Sequence, residues 1–203
     1  MRRVAAFGAV AWLLLLAAGS FHETGEALVA AAIAWVVPLG AALSADTNAS
    51  GVPSAPFRVF ALWAPFGTAL GLASFAVRTG PLASICAAGW LLACLTIAVA
   101  GIARVLRRGL APVADLVIDI GHLYLPVGGI WLVASRGGFA LLGFHEPLVL
   151  YTANHFHFAG FGAPVIAGLL GRELGLGCGV LRRVYDVSAL VVAAGIPLSL
   201  IHI

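Results

Sequence analysis

Ionisable residues in one apolar stretch of the sequence fall on a single helix face. Asp115, Asp119 and His122 are spaced i, i+4 and i+7, which places them on the same side of a helix. At 1.5 Å per residue, Asp119 lies ~9 Å and His122 ~13 Å inside a helix that begins at Val113. Ionisable groups in hydrocarbon are costly and therefore suggest a functional site. The pattern fits a proton relay, a cation site or a pair that only holds neighbouring helices together.

Two further histidines lie in the next apolar stretch. A helix entered at Pro147 carries His155 and His157 ~12 and ~15 Å deep, the depth of His122 on an antiparallel neighbour. Neutral imidazole is a very common metal ligand, so these three histidines are candidate ligands of a transition metal or of haem iron. A proton or substrate path and simple interhelical hydrogen bonding are the other two interpretations.

The spacing of His155 and His157 limits any metal site. Residues two apart on a regular α-helix point about 200° apart, so both side chains can face one ion only where the helix is broken. Gly160, Gly162 and Pro164 follow directly, and broken helices near the midplane are typical of transporters. In a regular helix, one histidine would face the interior and the other would meet a different partner.

Acidic residues mark the opposite end of these two stretches. Glu146, between His145 and Pro147, is typical of an ordinary helix start. It could also form the outer mouth of a polar path that leads to His155. A first outer loop with His22, Glu23 and Glu26 could join that mouth, and a solvated loop is the simpler interpretation.

The composition indicates the class of protein in which these groups lie. Of 203 residues, 62% are hydrophobic and 9% charged, and the mean hydropathy is +1.08. Soluble domains carry about 25% charged residues, and disordered chains have low hydrophobicity, so both classes are excluded. All basic residues are arginines, placed singly or in pairs, which does not indicate nucleic-acid binding. Three cysteines without a C-x-x-C motif indicate neither a disulfide framework nor a zinc ribbon.

Seven apolar blocks are long enough, or nearly so, to cross a bilayer, which takes ~20 helical residues. The blocks are Val4–Phe21, Ala27–Leu43, Val59–Val77, Leu82–Ile102, Val113–Ala134, Pro147–Leu170 and Val184–Leu200. They predict an all-α, polytopic transmembrane bundle of about seven spans, with residues 1–197 as its single domain.

The arginines predict the orientation of this bundle. With a cytoplasmic N-terminus, nine of the 11 arginines lie on the cytoplasmic side, and only Arg78 and Arg136 lie outside. This asymmetry favours a multi-pass protein of the bacterial plasma membrane. Arg2 and Arg3 before the first block also resemble a secretory signal, but we expect the block to be kept as an anchor.

The last six residues, 198–203, read Leu-Ser-Leu-Ile-His-Ile. Back-translated, they fit the end of a transposase adapter used in sequencing libraries (CTGTCTCTTATACACATC). We therefore expect that these residues are an artefact and that the chain is truncated at its C-terminus. His202 is excluded from every functional argument for this reason.

The stretch from Asp119 to Arg172 resembles the YndJ-like family of bacterial membrane proteins, most specifically in the segment TANHFHFAGF that starts at Thr152. A weaker similarity is VPLGAAL at the end of the second block. The resemblance implies a longer polytopic protein, often labelled a transporter, and it adds weight to His155 and His157 without supplying a reaction.

The sequence thus predicts a transporter for a small molecule or ion, in contact with the lipid bilayer and not with nucleic acid. Its proton or cation path would use Asp119, His122, His155 and His157, with Glu146 at the outer mouth. A membrane redox protein with haem or a metal bound by His122, His155 and His157 is the alternative. A structural or assembly subunit is the third interpretation, and the sequence contains no motif that indicates an enzyme.

Overall fold

The computed structural model describes residues 1–45, 53–174 and 179–199, and these residues form seven helices without a β-strand. The helices are α1 (Arg2–Ala17), α2 (Thr24–Leu43), α3 (Ala55–Ala76), α4 (Pro81–Arg108), α5 (Val113–Gly137), α6 (148–173) and α7 (Val180–Ser199). Each predicted apolar block coincides with one of them, so the all-α bundle is confirmed. Of the predicted artefact at residues 198–203, residues 200–203 lie outside the described part of the chain.

Four of the helices, α2 to α5, are long and apolar enough to cross a membrane. Helix α1 has 16 residues, fewer than the ~20 of a typical span. It nevertheless packs into the bundle, because Trp12 Nε1 donates to the Ala27 carbonyl at 2.8 Å and the Trp12 and Trp35 rings meet edge to face. Length and hydropathy therefore support four of the seven predicted spans.

The distribution of polar residues is the reverse of that in a soluble domain. Large apolar side chains such as Leu62, Leu106 and Ile85 point outward, with exposed fractions of 74%, 81% and 69%. Ionisable side chains such as Asp119 and His122 are fully buried. An apolar exterior around ionisable groups is the arrangement expected of a helix bundle in lipid.

Two helices widen into a π-helical turn near their middle. In α2 this segment is Ala32–Val36, and in α6 it is Phe156–Gly162, and the two segments contact each other. A proline follows each one, Pro38 in α2 and Pro164 in α6. Proline has no N–H and clashes with the carbonyl four residues earlier, so a wider turn relieves the contact. The expected discontinuity in α6 is thus a widened turn and not a break.

Helix α5 lies at the centre of the bundle and contacts α4, α6 and α7. Antiparallel α4 and α5 form the hairpin against which the other helices pack. On its other side α4 meets α3 at a close crossing, where a Cβ on Gly67 would lie 2.7 Å from the Ala93 Cβ. The central hairpin carries most of the buried ionisable residues.

Candidate functional site

Two arginines on α4 bind one buried aspartate on α5. Arg104 Nε donates to Asp119 Oδ1 at 2.6 Å, and Arg108 Nη2 donates to Asp119 Oδ2 at 3.0 Å. Asp119 is fully buried and Arg104 is 5% exposed. The contact follows from the hairpin, because Arg104 and Arg108 lie one turn apart on α4, opposite Asp115 and Asp119 one turn apart on α5.

His122 and Ser44 complete this cluster, and the hydrogen bonds define the tautomer of His122. Arg104 Nη2 lies 2.9 Å from His122 Nδ1, and a guanidinium can only donate, so Nδ1 accepts and the ring is neutral. Its proton is then on Nε2, which donates to Ser44 Oγ at 3.0 Å. Arg104 Nη1 also donates to the Ser44 carbonyl at 2.6 Å. We call Ser44, Arg104, Arg108, Asp119 and His122 the inner network.

The inner network ties the end of α2 to the α4–α5 hairpin. Ser44 directly follows the last residue of α2, and both its carbonyl and its hydroxyl are bound. Phe161 of α6 stacks on the His122 ring, with ring centres 5.9 Å apart. Toward the predicted cytoplasmic surface, Arg172 binds Asp115 at 2.6 Å, and this pair is partly exposed. Asp115 thus reaches water, whereas Asp119 does not.

His157 lies in a separate place, inside the π-helical turn of α6. Trp90 Nε1 of α4 donates to His157 Nε2 at 2.9 Å, so the ring proton is on Nδ1 and is donated to the Ala153 carbonyl at 2.7 Å. The Trp90 and His157 rings are stacked, and both are fully buried. Both ring nitrogens of His157 therefore have protein partners in this conformation.

A glycine on α5 makes room for His157. A Cβ on Gly128 would lie 2.7 Å from His157 Nδ1. Gly121 lies against the Phe161 carbonyl in the same way, so α5 and α6 pack closely at these two glycines. Gly129 faces Leu91 of α4.

Substitution of Gly128 by Ala is expected to lower the free energy of unfolding by about 1–3 kcal/mol, since the added methyl displaces the His157 ring. Denaturant unfolding of the purified protein in detergent, followed by circular dichroism, measures this change. Gly195→Ala in α7 is the matched control, because a Cβ there meets nothing within 4 Å. An equal loss in both variants would show that His157 is not held against α5.

The remaining predicted residues lie apart from these two places. His155 Nε2 lies 3.3 Å from the Ile196 carbonyl, so His155 faces α7 and not His157. Glu146 Oε2 accepts the Leu150 N–H at 3.1 Å, which is the ordinary helix start considered from the sequence. Glu146 is exposed and contacts none of the three histidines in the described structure.

The predicted metal ligands do not converge. Within the residues that the structure describes, no group of three or more His, Cys, Asp or Glu side chains could hold a metal ion. His157 packs at Gly128, six residues from His122 on α5, which corresponds to ~9 Å along the helix. A metal or haem role for His122, His155 and His157 stays a prediction, and it would require these side chains to leave their present partners.

An ion pair at the opposite end of the bundle corrects the interpretation of the first outer loop. Glu26 belongs to the first turn of α2 and is 8% exposed, so it is not part of a solvated loop. Arg136 Nη1 of α5 donates to Glu26 Oε1 at 2.6 Å, and Arg136 Nη2 donates to the Ser74 and Val77 carbonyls of the α3 end. We call Glu26 and Arg136 the outer pair.

Five residues of these clusters were not among the candidates from the sequence, namely Ser44, Trp90, Arg104, Arg108 and Arg136. The arginines served only to predict orientation, with Arg104 and Arg108 among the nine on the cytoplasmic side and Arg136 outside, and Ser44 and Trp90 gave no signal of their own. Arg104 could have been found, because it precedes Arg108 by one turn and faces the Asp115–Asp119 repeat of the adjoining block. Trp90 could not, since a tryptophan in an apolar block is ordinary core.

Comparisons with known proteins agree with the membrane bundle. The family described as YndJ-like protein matches residues 27–203. A relative from Bacillus subtilis (strain 168), named uncharacterized membrane protein YndJ, is 39% identical over 54 residues, which are 27% of this chain. The match spans only 10% of that relative's length. No solved structure is significantly similar to the chain.

Proposed function

This chain belongs to the YndJ-like family of membrane proteins, and we propose that it is a transporter of the bacterial inner membrane, coupled to protons or cations. One observation carries the proposal. Helix α2 is held to the α4–α5 hairpin at both ends, through the contacts of Ser44 with Arg104 of α4 and His122 of α5 at one end and through the outer pair at the other. Paired contacts of this kind suit a helix that is released at one end at a time.

The inner network provides the link to a proton or cation. A proton that binds His122 Nδ1 removes the acceptor that Arg104 Nη2 uses, and it places an imidazolium beside the Arg104 guanidinium. The Arg104–His122 contact is then repulsive, and the hold on Ser44 is weakened. A metal cation that binds Asp119 acts at the same point, because it competes with both arginines for the carboxylate.

The middle of the bundle supplies the element that can bend. The π-helical turns of α2 and α6 contact each other between the two clusters, and π-helical turns are frequent at functional sites. His157 lies in the second of these turns and bonds across to Trp90. We propose that His157 is the central polar group of the path and that the described structure is its closed state.

Proton flux into vesicles tests this function. The full chain is reconstituted in vesicles of phosphatidylethanolamine and phosphatidylglycerol that contain a pH-sensitive dye, and a potassium diffusion potential drives entry of protons. We expect faster acidification than in protein-free vesicles and its loss in the His122→Asn variant. External sodium is then added as the only other change. Flux that is the same without sodium indicates a proton path, and flux that requires sodium indicates a sodium-coupled path.

His145→Asn is the matched control, because His145 is exposed and lies outside both clusters. We expect wild-type flux from this variant. If wild-type protein gives no more flux than protein-free vesicles, with or without sodium, the transport proposal is rejected. If His122→Asn keeps wild-type flux, the coupling role of the inner network is rejected.

A further inference from the structure

The two buried polar places of the bundle lie on one side of α4, and an apolar residue separates them. Arg104 binds His122, and Trp90, nearer the start of the helix, binds His157. Ile97 lies midway between Trp90 and Arg104, two turns or ~10 Å from each. Because two turns return to nearly the same direction, Ile97 points to the same side of α4, and it is fully buried.

Helices α5 and α6 repeat this order of polar, apolar and polar positions. On α5, Leu125 lies one turn after His122 and one turn before Gly128. Gly128 is the residue that adjoins His157. On α6, Phe161 lies one turn after His157. We call the three fully buried residues at this level, which belong to one core cluster, the apolar layer: Ile97, Leu125 and Phe161.

Phe161 connects the apolar layer to the inner network. Its ring stacks on His122, with ring centres 5.9 Å apart. The same ring fills the space beside Gly40 of α2, where a Cβ would lie 2.8 Å from Phe161 Cε1. Gly40 precedes Ser44 by one turn, so the ring contacts the part of α2 that the inner network holds. Helical side chains lean toward the start of their helix, which in α6 is the direction of His157.

We propose that Phe161 is the gate of the path and that its ring, while it lies on His122, excludes water between His122 and His157. An apolar constriction stops conduction when water leaves it, so a proton cannot pass from one histidine to the other through the closed layer. This inference deepens the proposed function and rests on it for the role of the gate in transport.

Phe161 is the member of the layer that the structure equips to move. It belongs to the π-helical turn Phe156–Gly162, whereas Ile97 and Leu125 lie in α-helical segments. Its ring also depends on the wall that Gly40 provides. Release of the α2 end by a proton or cation removes this wall, and the ring can then leave the layer.

Proton flux into the vesicles described above tests the gate with three variants. Phe161→Asn places an amide in the layer and is expected to raise the flux about tenfold over wild type, since the layer loses the apolar surface of one buried aromatic side chain. Phe161→Leu keeps the layer apolar and should keep wild-type flux. Phe158→Asn is the matched control, because it makes the same change in the same π-helical turn at a side chain that is 36% exposed. Wild-type flux from folded Phe161→Asn, or an equal rise in Phe158→Asn, overturns the gate.

The reactivity of Cys94 separates failure of the gate from failure of transport. Cys94 is fully buried on the same side of α4, one turn before Ile97. It is kept as the single thiol by Cys86→Ser and Cys178→Ser, and the water-soluble reagent aminoethyl methanethiosulfonate is added to the purified protein in detergent. By intact mass, we expect no labelling of wild-type protein or of Phe161→Leu and complete labelling of Phe161→Asn.

The two readouts together decide between the proposals. If wild-type protein carries no flux but Phe161→Asn makes Cys94 reactive, the transport proposal fails and the water barrier at Phe161 is upheld. If Cys94 stays unreactive in Phe161→Asn, or reacts equally in wild-type protein, the gate is overturned whatever the flux. Helicity is recorded first, and if Phe161→Asn does not fold, Phe161→Thr replaces it in both experiments, because a threonine hydroxyl can bond a carbonyl of its own helix.

Discussion

Substitution of Asp119 by Asn is expected to lower the free energy of unfolding by about 3–5 kcal/mol, one of the two largest effects of any single change in this chain. Asp119 is the carboxylate that both Arg104 and Arg108 bind, and Arg104 is buried with it. An amide of the same size keeps one acceptor but removes the negative charge that Arg104 and Arg108 share. Denaturant unfolding in detergent, with helicity as the signal, measures the loss.

Asp115→Asn is the matched control for this prediction. Asp115 lies one turn earlier on α5 and is also bound by an arginine, but both partners of that pair are partly exposed. Exposed ion pairs contribute about 0–1 kcal/mol, so the control should lose no more than that. If Asp119→Asn costs as little as Asp115→Asn, the inner network does not exist in the folded protein.

Substitution of Arg136 by Met is expected to cost a similar ~3–5 kcal/mol. The change leaves the buried Glu26 carboxylate with the His22 backbone N–H, which donates to Oε2 at 2.7 Å, and it releases the carbonyls of Ser74 and Val77. It also removes the guanidinium that lies over the Phe75 ring, 4.9 Å from its centre. The same unfolding experiment measures the loss, because α2 and α3 both lose their contacts with Arg136 of α5.

Arg78→Met serves as the control at the same end of the bundle, since Arg78 is exposed and should change stability by no more than about 0.5 kcal/mol. The double variant Glu26→Leu/Arg136→Met should recover most of the loss, because an apolar pair can replace a buried ion pair without penalty. A double variant as unstable as Arg136→Met alone would show that the outer pair is not the source of the effect.

Much of the fold follows directly from the sequence. Charge and hydropathy alone predict seven helices, and the structure has a helix at each predicted block. The i, i+4, i+7 spacing correctly placed Asp119 and His122 on one face, since both contact Arg104. Helical periodicity is a local property, so it can be predicted without knowledge of the neighbouring helices.

The partners of these residues could not be predicted with the same rules. Arg104 was expected in water because it follows the apolar block that ends at Ile102, yet α4 continues to Arg108 and buries the Arg104 side chain. The equal depth of His122 and His157 predicted that they lie together, and they do not. Depth was counted from the helix ends and did not take into account which face of its helix each residue occupies. The stacking of His157 on Trp90 depends on the π-helical turn, for which the sequence offers only Pro164 as a sign.

The distinction between a transporter and a purely structural bundle depends on what the buried charges do. If they only hold helices together, apolar residues of similar size can replace them, often without loss of stability. If they respond to a proton or cation, the same replacement leaves a folded protein that has lost its coupling. Arg104 and Asp119 are the pair to replace, because they are the two most buried charges of the inner network.

Proton flux through the Arg104→Met/Asp119→Leu variant is therefore the most direct measurement. The variant is reconstituted beside wild-type protein, and its helicity and unfolding midpoint are recorded first. We predict a folded protein whose flux equals that of protein-free vesicles. Wild-type flux from the folded double variant would contradict the coupling role and leave the inner network as a structural element alone.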